Sequence, residues 1–185
     1  MAKRGETREV ILNAAEKVFF ANGYEKTSVK MILQEADIVT GSFYHFFASK
    51  EALFEAVVER YLEGYAGTVR KVLEDESLEM EEIIDRVLEE FRKTMDTYNN
   101  VLQAENLHWT VQYALHDRTL ETIAVPLSGT LARLKAQGTI QSSLPVDDGT
   151  LAMILLRGSE AIIHGETQKE KQEALMEFWK SILSF

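Results

Sequence analysis

The chain of 185 residues has no cysteine and only two prolines. The absence of cysteine excludes a disulfide framework and thiolate chemistry, and it suits the reducing cytoplasm where we expect the protein to act. Two prolines and ten glycines leave little room for sheets or long loops. The longest uninterrupted apolar run, Leu151 to Leu156, is far too short to span a bilayer, so no membrane partner is expected.

Positive charge is also scarce, because the formal net charge is −10. A uniform acidic excess would argue against a nucleic-acid partner. The charge is unevenly spread, however, since residues 1–50 carry seven lysines and arginines against six acidic residues, whereas residues 51–185 carry 13 against 24. A protein with this charge distribution would approach DNA with residues 1–50 first, because DNA repels the acidic residues 51–185.

Apolar residues recur at three- and four-residue spacing through most of the chain, which predicts an all-α fold. The 45% hydrophobic content is enough for a substantial core. A kink is expected at Pro126. The pattern predicts about nine helices, at residues 7–22, 28–36, 40–47, from 50 onward, 80–97, 101–115, 117–138, 147–165 and 167–183.

Residues 27–50 predict two short helices joined by a tight turn. Thr27 and Ser28 offer a cap for the first of them. Phe43 and Phe47 lie four residues apart in the second and would point inward together. Small, hydroxylated and aromatic side chains remain on the outer faces of this second helix. That composition is typical of a recognition helix that lies in a DNA major groove.

The same stretch resembles the DNA-binding segment of TetR-family transcriptional regulators. The family more often has glycine where this chain has Asp37, but Asp tolerates the left-handed turn conformation. The matching residues are Asn22-Gly23-Tyr24, Thr27-Ser28-Val29, Ile32, Ala36, Gly41-Ser42-Phe43-Tyr44, Phe47 and Ser49-Lys50-Glu51-Ala52-Leu53. The resemblance implies a DNA-binding site made of Thr27, Ser28, Thr40, Gly41, Ser42, Tyr44, His45 and Lys50.

Within that implied site, the resemblance places Thr40 and His45 in the DNA groove. It gives phosphate contacts to Thr27, Ser42, Tyr44 and Lys50. Lys50 is unusual by its position alone. It lies in the first turn of the fourth predicted helix, where the helix dipole disfavours a cation. A bound phosphate at this helix start would offset the misfit.

The resemblance further implies two domains, a helix-turn-helix domain at residues 1–50 and an effector-binding and dimerisation domain at residues 51–185. Family members bind small organic ligands in a cavity of the second domain, and a mostly apolar cavity with a few convergent polar groups suits that task. The residues implied to line it are Tyr61, Tyr65, Phe91, Trp109, Gln112, Tyr113 and His116.

The last two predicted helices are apolar on most sides and must therefore be buried. TetR-family proteins dimerise through the equivalent helices, so the resemblance implies a homodimer. Burial within a single chain is the alternative interpretation. The residues implied at the dimer interface are Leu155, Ile162, Phe178, Trp179 and Ile182.

These observations lead to one main hypothesis, a regulator without a cofactor or catalytic activity. It would be a repressor that a small organic effector releases from a palindromic operator. One alternative is an effector-independent helix-turn-helix protein that acts by architecture or through a protein partner. A remote alternative is a helical metal enzyme, suggested by Glu105-x-x-His108 and by Glu160 with His164, although a second Glu-x-x-His is missing. The chain has no Gly-x-Ser-x-Gly, phosphate-binding glycine loop or dinucleotide fingerprint.

Overall fold

The computed structural model describes the backbone of residues 4–165 and 168–185, and the side chains of residues 5–104, 106–162 and 173–185. Over these residues the fold is all-α, as predicted, apart from two short strands. The helices of the described residues are α1 (Arg4–Lys26), α2 (Val29–Ala36), α3 (Thr40–Phe46), α4 (Lys50–Leu73), α5 (Met80–Asp96), α6 (Trp109–Ala136), α7 (Asp148–Gly165) and α8 (Gln168–Ile182).

A kink at Gly23 divides α1 into two helical stretches. Gly23 has φ 74° and ψ 173°, a backbone conformation that only glycine adopts without strain. The predicted end of the first helix at this glycine therefore has a physical basis, although helical residues resume up to Lys26. The kink sets the direction in which the chain leaves α1 toward α2.

The predicted separation of a sixth and a seventh helix near residue 116 is wrong, because α6 runs without interruption from Trp109 to Ala136. Its buried stripe continues across that point through Leu115, Leu120 and Ile123. Residues 101–108 were expected to be α-helical, but α6 begins only at Trp109. A π-helical turn (Thr97–Val101) ends at the start of this stretch, and a 3-10 turn (Ala104–Asn106) lies within it. Between these turns Gln103 has a left-handed backbone with φ 57°.

The described residues divide into two compact units. The first consists of the described part of Met1–Gly64 together with Lys93–Leu115, and the second of Tyr65–Arg92 with His116–Phe185. This division follows backbone contacts, whereas the predicted boundary after residue 50 is a functional one and stays a prediction. Among the fully buried residues of the first unit are Ile11, Phe19, Ile32, Phe43, Phe54 and Leu102.

The second unit has its own hydrophobic core, whose most buried residues include Ile83, Leu127, Leu131, Ile140 and Leu151. A two-stranded antiparallel sheet closes one edge of it, pairing β1 (Gln141–Ser142) with β2 (Leu183–Ser184). Ser143 donates from both its backbone N–H and its hydroxyl to the carbonyl oxygen of Ile182, at 2.9 and 3.0 Å. Of the helices in the described residues, none combines the length and the hydropathy needed to cross a membrane.

Candidate DNA-binding surface

Capping and a left-handed turn fix the angle between α2 and α3. Ser28 is the N-cap of α2, and its Oγ accepts a hydrogen bond from the Met31 backbone N–H at 3.3 Å. Asp37 ends the helix with φ 52° and ψ 48°, and its backbone N–H faces the carbonyls of Leu33 and Gln34. Because Asp tolerates this region better than most residues, the turn forms without the glycine that is usual there.

The short helix α3 has a buried face and an exposed face. Phe43 is completely buried and Phe47 is 5% exposed, with their ring centroids 6.1 Å apart. On the other side Thr40 and His45 are exposed, and Tyr44 keeps 59% of its surface. The predicted inward orientation of the two phenylalanines is therefore confirmed, and the polar side chains between them are left available to a partner outside the chain.

Gly41 is exposed, and a Cβ atom added to it would meet no described atom within 4 Å. Packing among the described residues therefore does not require glycine at this position, and the close approach of DNA to Gly41 stays a prediction. Ser42, the next residue, is half-buried.

Thr27 and Lys50, two of the predicted phosphate contacts, have partners inside the protein. Thr27 is only 3% exposed, and its hydroxyl donates to the carbonyl of Gly23 at 2.8 Å. The Lys50 ammonium group donates to the carbonyls of Tyr24 and Thr27, at 3.0 and 3.1 Å. Their assignment as DNA contacts stays a prediction, but in the free protein both side chains stabilise the link between α1 and α2.

The predicted ligand-binding residues are shared between the two units. In the first unit, Tyr61 is half-buried and lies with its hydroxyl 3.4 Å from the carbonyl of Thr94. Gln112 donates to the carbonyl of Leu107 at 2.7 Å and thereby fixes the turn before α6. Trp109 and Tyr113 are 70% and 61% exposed, so their own chain does not enclose them. The assignment of these residues to a pocket stays a prediction.

In the second unit, Tyr65 and Phe91 are half-buried, and burial raises the pKa of the Tyr65 phenol well above its usual range. His116 forms an ion pair with Glu160 when it is protonated. Arg157 pairs with Asp117 and with Glu160, so that a chain of charges joins α6 to α7. His116 is thus a member of a charged surface network, which the sequence pattern had not indicated.

The predicted interface residues fall into two groups by burial. Leu155 has no exposed surface and Trp179 is 7% exposed, and the Trp179 indole N–H donates to the hydroxyl of Ser159 at 2.9 Å. Both are buried by their own chain and leave little surface for a second one. Ile162, Phe178 and Ile182 are half-buried. The dimer interface remains a prediction, and these three are its better candidates.

Gly158 and Phe178 approach each other closely within the α7–α8 pair. The Phe178 ring occupies the space in which a Cβ atom at residue 158 would lie. The absence of a side chain at Gly158 on α7 therefore makes room for the Phe178 ring of α8. The sequence marks this position only as a glycine in an apolar helix.

The metal-enzyme alternative gains no support from the part of the chain that the structure describes. In that part, no group of three or more histidine, aspartate or glutamate side chains could hold a metal ion. Glu160, one of the residues considered for a metal, pairs with His116 and Arg157 instead. The side chains of Glu105 and His164 lie outside the described residues.

A capped helix, a left-handed turn and a short helix with an exposed polar face define a helix-turn-helix protein with a helical C-terminal part. The family profile described as bacterial regulatory proteins, tetR family, matches residues 11–57. The segment that contains the helix-turn-helix is therefore similar to the DNA-binding segment of TetR-family transcriptional regulators.

Individual relatives support this assignment over different lengths. The regulator UidR of Escherichia coli strain K12 is 40% identical over 68 residues, which are 37% of this chain and 35% of UidR. The transcriptional repressor NemR of the same strain is 29% identical over 93 residues, 50% of this chain and 45% of NemR. The chain thus matches about a third of UidR and less than half of NemR.

Solved structures share the fold over nearly the whole chain. The reduced form of E. coli NemR superposes with a TM-score of 0.60 at 23% identity, covering 96% of this chain and 97% of NemR. FadR of Bacillus subtilis, crystallised with stearoyl-CoA, superposes with a TM-score of 0.56 at 16% identity, covering 91% and 95%. At these identities the similarity establishes the fold and nothing finer.

Proposed function

We propose that the protein is a homodimeric, ligand-responsive transcriptional repressor that binds a palindromic operator and leaves it when a small organic effector binds. The observation that carries the proposal is the two-sided construction of α3. Its buried phenylalanines hold the helix, and its exposed face presents Thr40, Tyr44 and His45. Hydroxyl, phenol and imidazole groups are ordinary hydrogen-bonding partners for phosphates and base edges.

The charge distribution supports the direction of docking. Residues 1–50 are nearly neutral while residues 51–185 are strongly acidic. The phosphate backbone repels an acidic surface, so the helix-turn-helix end is the part that meets DNA. We assign residues 1–50 to DNA binding and residues 51–185 to effector binding and dimerisation. A protein that acts on chromosomal DNA in this way would work in the bacterial cytoplasm.

Operator symmetry follows from a two-fold dimer. Two recognition helices that reach successive major grooves must lie about 34–36 Å apart, and the operator half-sites repeat that symmetry. The half-buried residues Ile162, Phe178 and Ile182 would take part in the contact between the two chains. Their partly exposed apolar surface is what a second copy would cover.

Effector binding is supported by kinship with regulators that act as repressors or carry a ligand. NemR is a repressor by its name, and FadR was crystallised with stearoyl-CoA. In this chain we carry over the effector site that the family resemblance implies, with Tyr61, Tyr65, Phe91, Trp109, Gln112, Tyr113 and His116 as its expected lining. No catalytic step is part of the proposal.

One observation favours a second candidate, the effector-independent helix-turn-helix protein. Trp109 and Tyr113 are largely exposed, whereas an effector cavity normally encloses its aromatic walls. Exposed aromatic residues are also typical of contacts with protein partners. A thermal-shift screen separates the two candidates, because a compound that binds the native state raises the melting temperature.

The main test is a selection of DNA sequences with the purified protein. Wild-type protein should enrich a palindrome and bind it as a dimer, and native mass spectrometry of the complex should give two chains per operator. A Tyr44→Ala, His45→Ala double variant is the matched control, because both side chains are exposed and their removal leaves the core intact. Enrichment of no sequence by the wild type, or the same enrichment by the control, would overturn the proposal.

A further inference from the structure

The link between α1 and α2 packs against the first turn of α4. The ring of Tyr24 stacks on Phe19 and packs at a tilt against Phe54, with centroid distances of 6.2 and 4.7 Å. Its hydroxyl donates to the carboxylate of Glu51 at 2.8 Å. Burial and this hydrogen bond raise the pKa of Tyr24 to about 12, so the phenol remains a donor at neutral pH. We call Tyr24, Thr27, Lys50 and Glu51 the α1–α2 corner.

Lys50 completes the corner from the side of α4. Its ammonium group donates to two backbone carbonyls, those of Tyr24 and Thr27, at 3.0 and 3.1 Å. It also lies 3.9 Å from the centroid of the Tyr24 ring, within range of a cation–π interaction. An ammonium group has three N–H donors, so the two carbonyls and the ring engage most of its hydrogen-bonding capacity.

These contacts explain why a cation is tolerated at the start of a helix. The N-terminal dipole of α4 disfavours Lys50 in its first turn. The two carbonyl oxygens and the ring face supply the negative potential that offsets the dipole, without a phosphate. The sequence had suggested a phosphate for this task, and the structure fills the position with groups of the protein itself.

Movement of the corner would be transmitted directly to α2. Thr27 is buried and its hydroxyl donates to the carbonyl of Gly23, which fixes the chain at the kink. Ser28, the next residue, is the N-cap of α2. The Thr27 carbonyl that Lys50 holds therefore belongs to the peptide bond that joins Thr27 to the N-cap residue of α2.

We propose that Lys50 is a positioning residue, which holds the α1–α2 corner on α4 and thereby sets α2 and α3 for DNA, rather than a contact to phosphate. The inference rests on the proposed DNA-binding function. It gives Lys50 partners within the protein, the carbonyls of Tyr24 and Thr27, in place of the DNA phosphate that the family resemblance implies.

The dependence of operator affinity on salt distinguishes the two roles. A lysine that neutralises a phosphate contributes about 0.9 to the slope of log K against log salt concentration. Lys50→Met should lower operator affinity about 10-fold at every salt concentration between about 50 and 200 mM, with the slope unchanged. A slope that falls by about 0.9 would show that Lys50 contacts phosphate and would overturn the proposal.

Two further variants complete the binding experiment. Lys50→Arg keeps the charge that a phosphate needs, but its planar guanidinium does not reproduce a compact ammonium between two carbonyls and a ring. We expect it to bind as weakly as Lys50→Met, and full affinity would contradict the positioning role. Lys71→Met removes the same charge from an exposed position in the last turn of α4 and should leave both affinity and slope unchanged.

A measurement without DNA separates this inference from the proposed function. In the free protein, Lys50→Met should accelerate amide hydrogen exchange in Val29–Ala36 about 10-fold or more, while α5 keeps its wild-type rates. Unchanged exchange in α2 would overturn the positioning role even if the protein binds DNA. If the wild type binds no DNA and Lys50→Met still exchanges faster in α2, the positioning role of Lys50 is supported and the proposed function is refuted.

Discussion

The exposed face of α3 and the exposed face at the start of α6 both carry aromatic and polar side chains, but their surroundings differ. Behind Tyr44 and His45 lies Phe43, which is completely buried. Tyr44 packs edge-on against that ring, with the centroids 5.0 Å apart. Trp109 and Tyr113 are equally exposed, but the Trp109 ring lies against the ring of His108, which is itself exposed.

The side chains of the α3 face are thus supported by a buried ring, whereas the α6 face places its aromatic rings in solvent. The α3 face keeps its shape in the absence of a partner, which lowers the entropic cost of binding a rigid surface such as DNA. The α6 face has its aromatic groups largely in solvent. Similar residue composition thus gives two surfaces with different degrees of preorganisation.

The largest effect expected from this comparison concerns the support beneath α3. Phe43→Ala should lower the free energy of unfolding by about 3–5 kcal/mol, because it removes a fully buried ring from the first unit. Trp109→Ala should change it by less than about 0.5 kcal/mol, because the side chain is mostly in water. Urea denaturation followed by circular dichroism measures both. If Trp109→Ala lowered the free energy of unfolding by several kcal/mol, the exposed face of α6 would also be supported by packing beneath it.

The second prediction concerns sequence preference. Substitution of Thr40 or His45 should change which base pairs are favoured, because each side chain that no longer reaches a base edge removes about 1–3 kcal/mol of discrimination. The melting temperature should stay unchanged. The measurement is a selection from randomised half-sites. Retention of the parental site by variants at both positions would remove these residues from the groove. Lys71→Ala, an exposed position in the last turn of α4, is a suitable control.

The third prediction concerns the α6 face. If an effector covers it, Tyr113→Ala should weaken effector binding about 10-fold, while operator affinity without effector stays at the wild-type value. Val125→Ala, also on α6 and 75% exposed, is the matched control. The coupling is reciprocal, so operator DNA must weaken effector binding by the same factor, about 5–150-fold. Equal effector affinity for the free and the operator-bound dimer would favour the effector-independent alternative.

The smallest expected effect is a dependence of stability on pH at the corner. Hydrogen bonds from its own backbone, Ser49 and Tyr24 hold the pKa of Glu51 below its usual range. Its contribution to stability is therefore complete above the unfolded value of about 4.3 and is lost as the pH falls below it. Glu51→Gln should be slightly less stable than wild type at pH 7, and the difference should shrink below about pH 4. A difference that grows in acid would contradict this sign.

The sequence predicted the helix-turn-helix segment well because several local rules agree there. Ser28 caps α2, Asp37 takes the left-handed turn, and the four-residue spacing of Phe43 and Phe47 sets the buried face of α3. Each of these is decided by residues within one or two helical turns. Such local determinants can be recognised without knowledge of the rest of the fold.

Other features depend on contacts between distant residues, which periodicity does not encode. An apolar stripe indicates that Leu155 and Trp179 are buried, but not whether their own chain or a partner buries them. Gln103 adopts a left-handed conformation and packs over Gly23, 80 positions earlier in the chain. The carbonyl partners of Lys50 likewise come from another element, and the only local signal was a cation in the first turn of a helix.

The two tryptophans of the chain occupy opposite environments, and this makes them independent optical reporters. Trp109 is 70% exposed, whereas Trp179 is 7% exposed and hydrogen-bonded to Ser159. Iodide should quench the emission of the first and spare the second, and only the second should shift to the red when the core opens. The intrinsic fluorescence of an unlabelled sample therefore separates an event at the surface of α6 from unfolding of the α7–α8 pair.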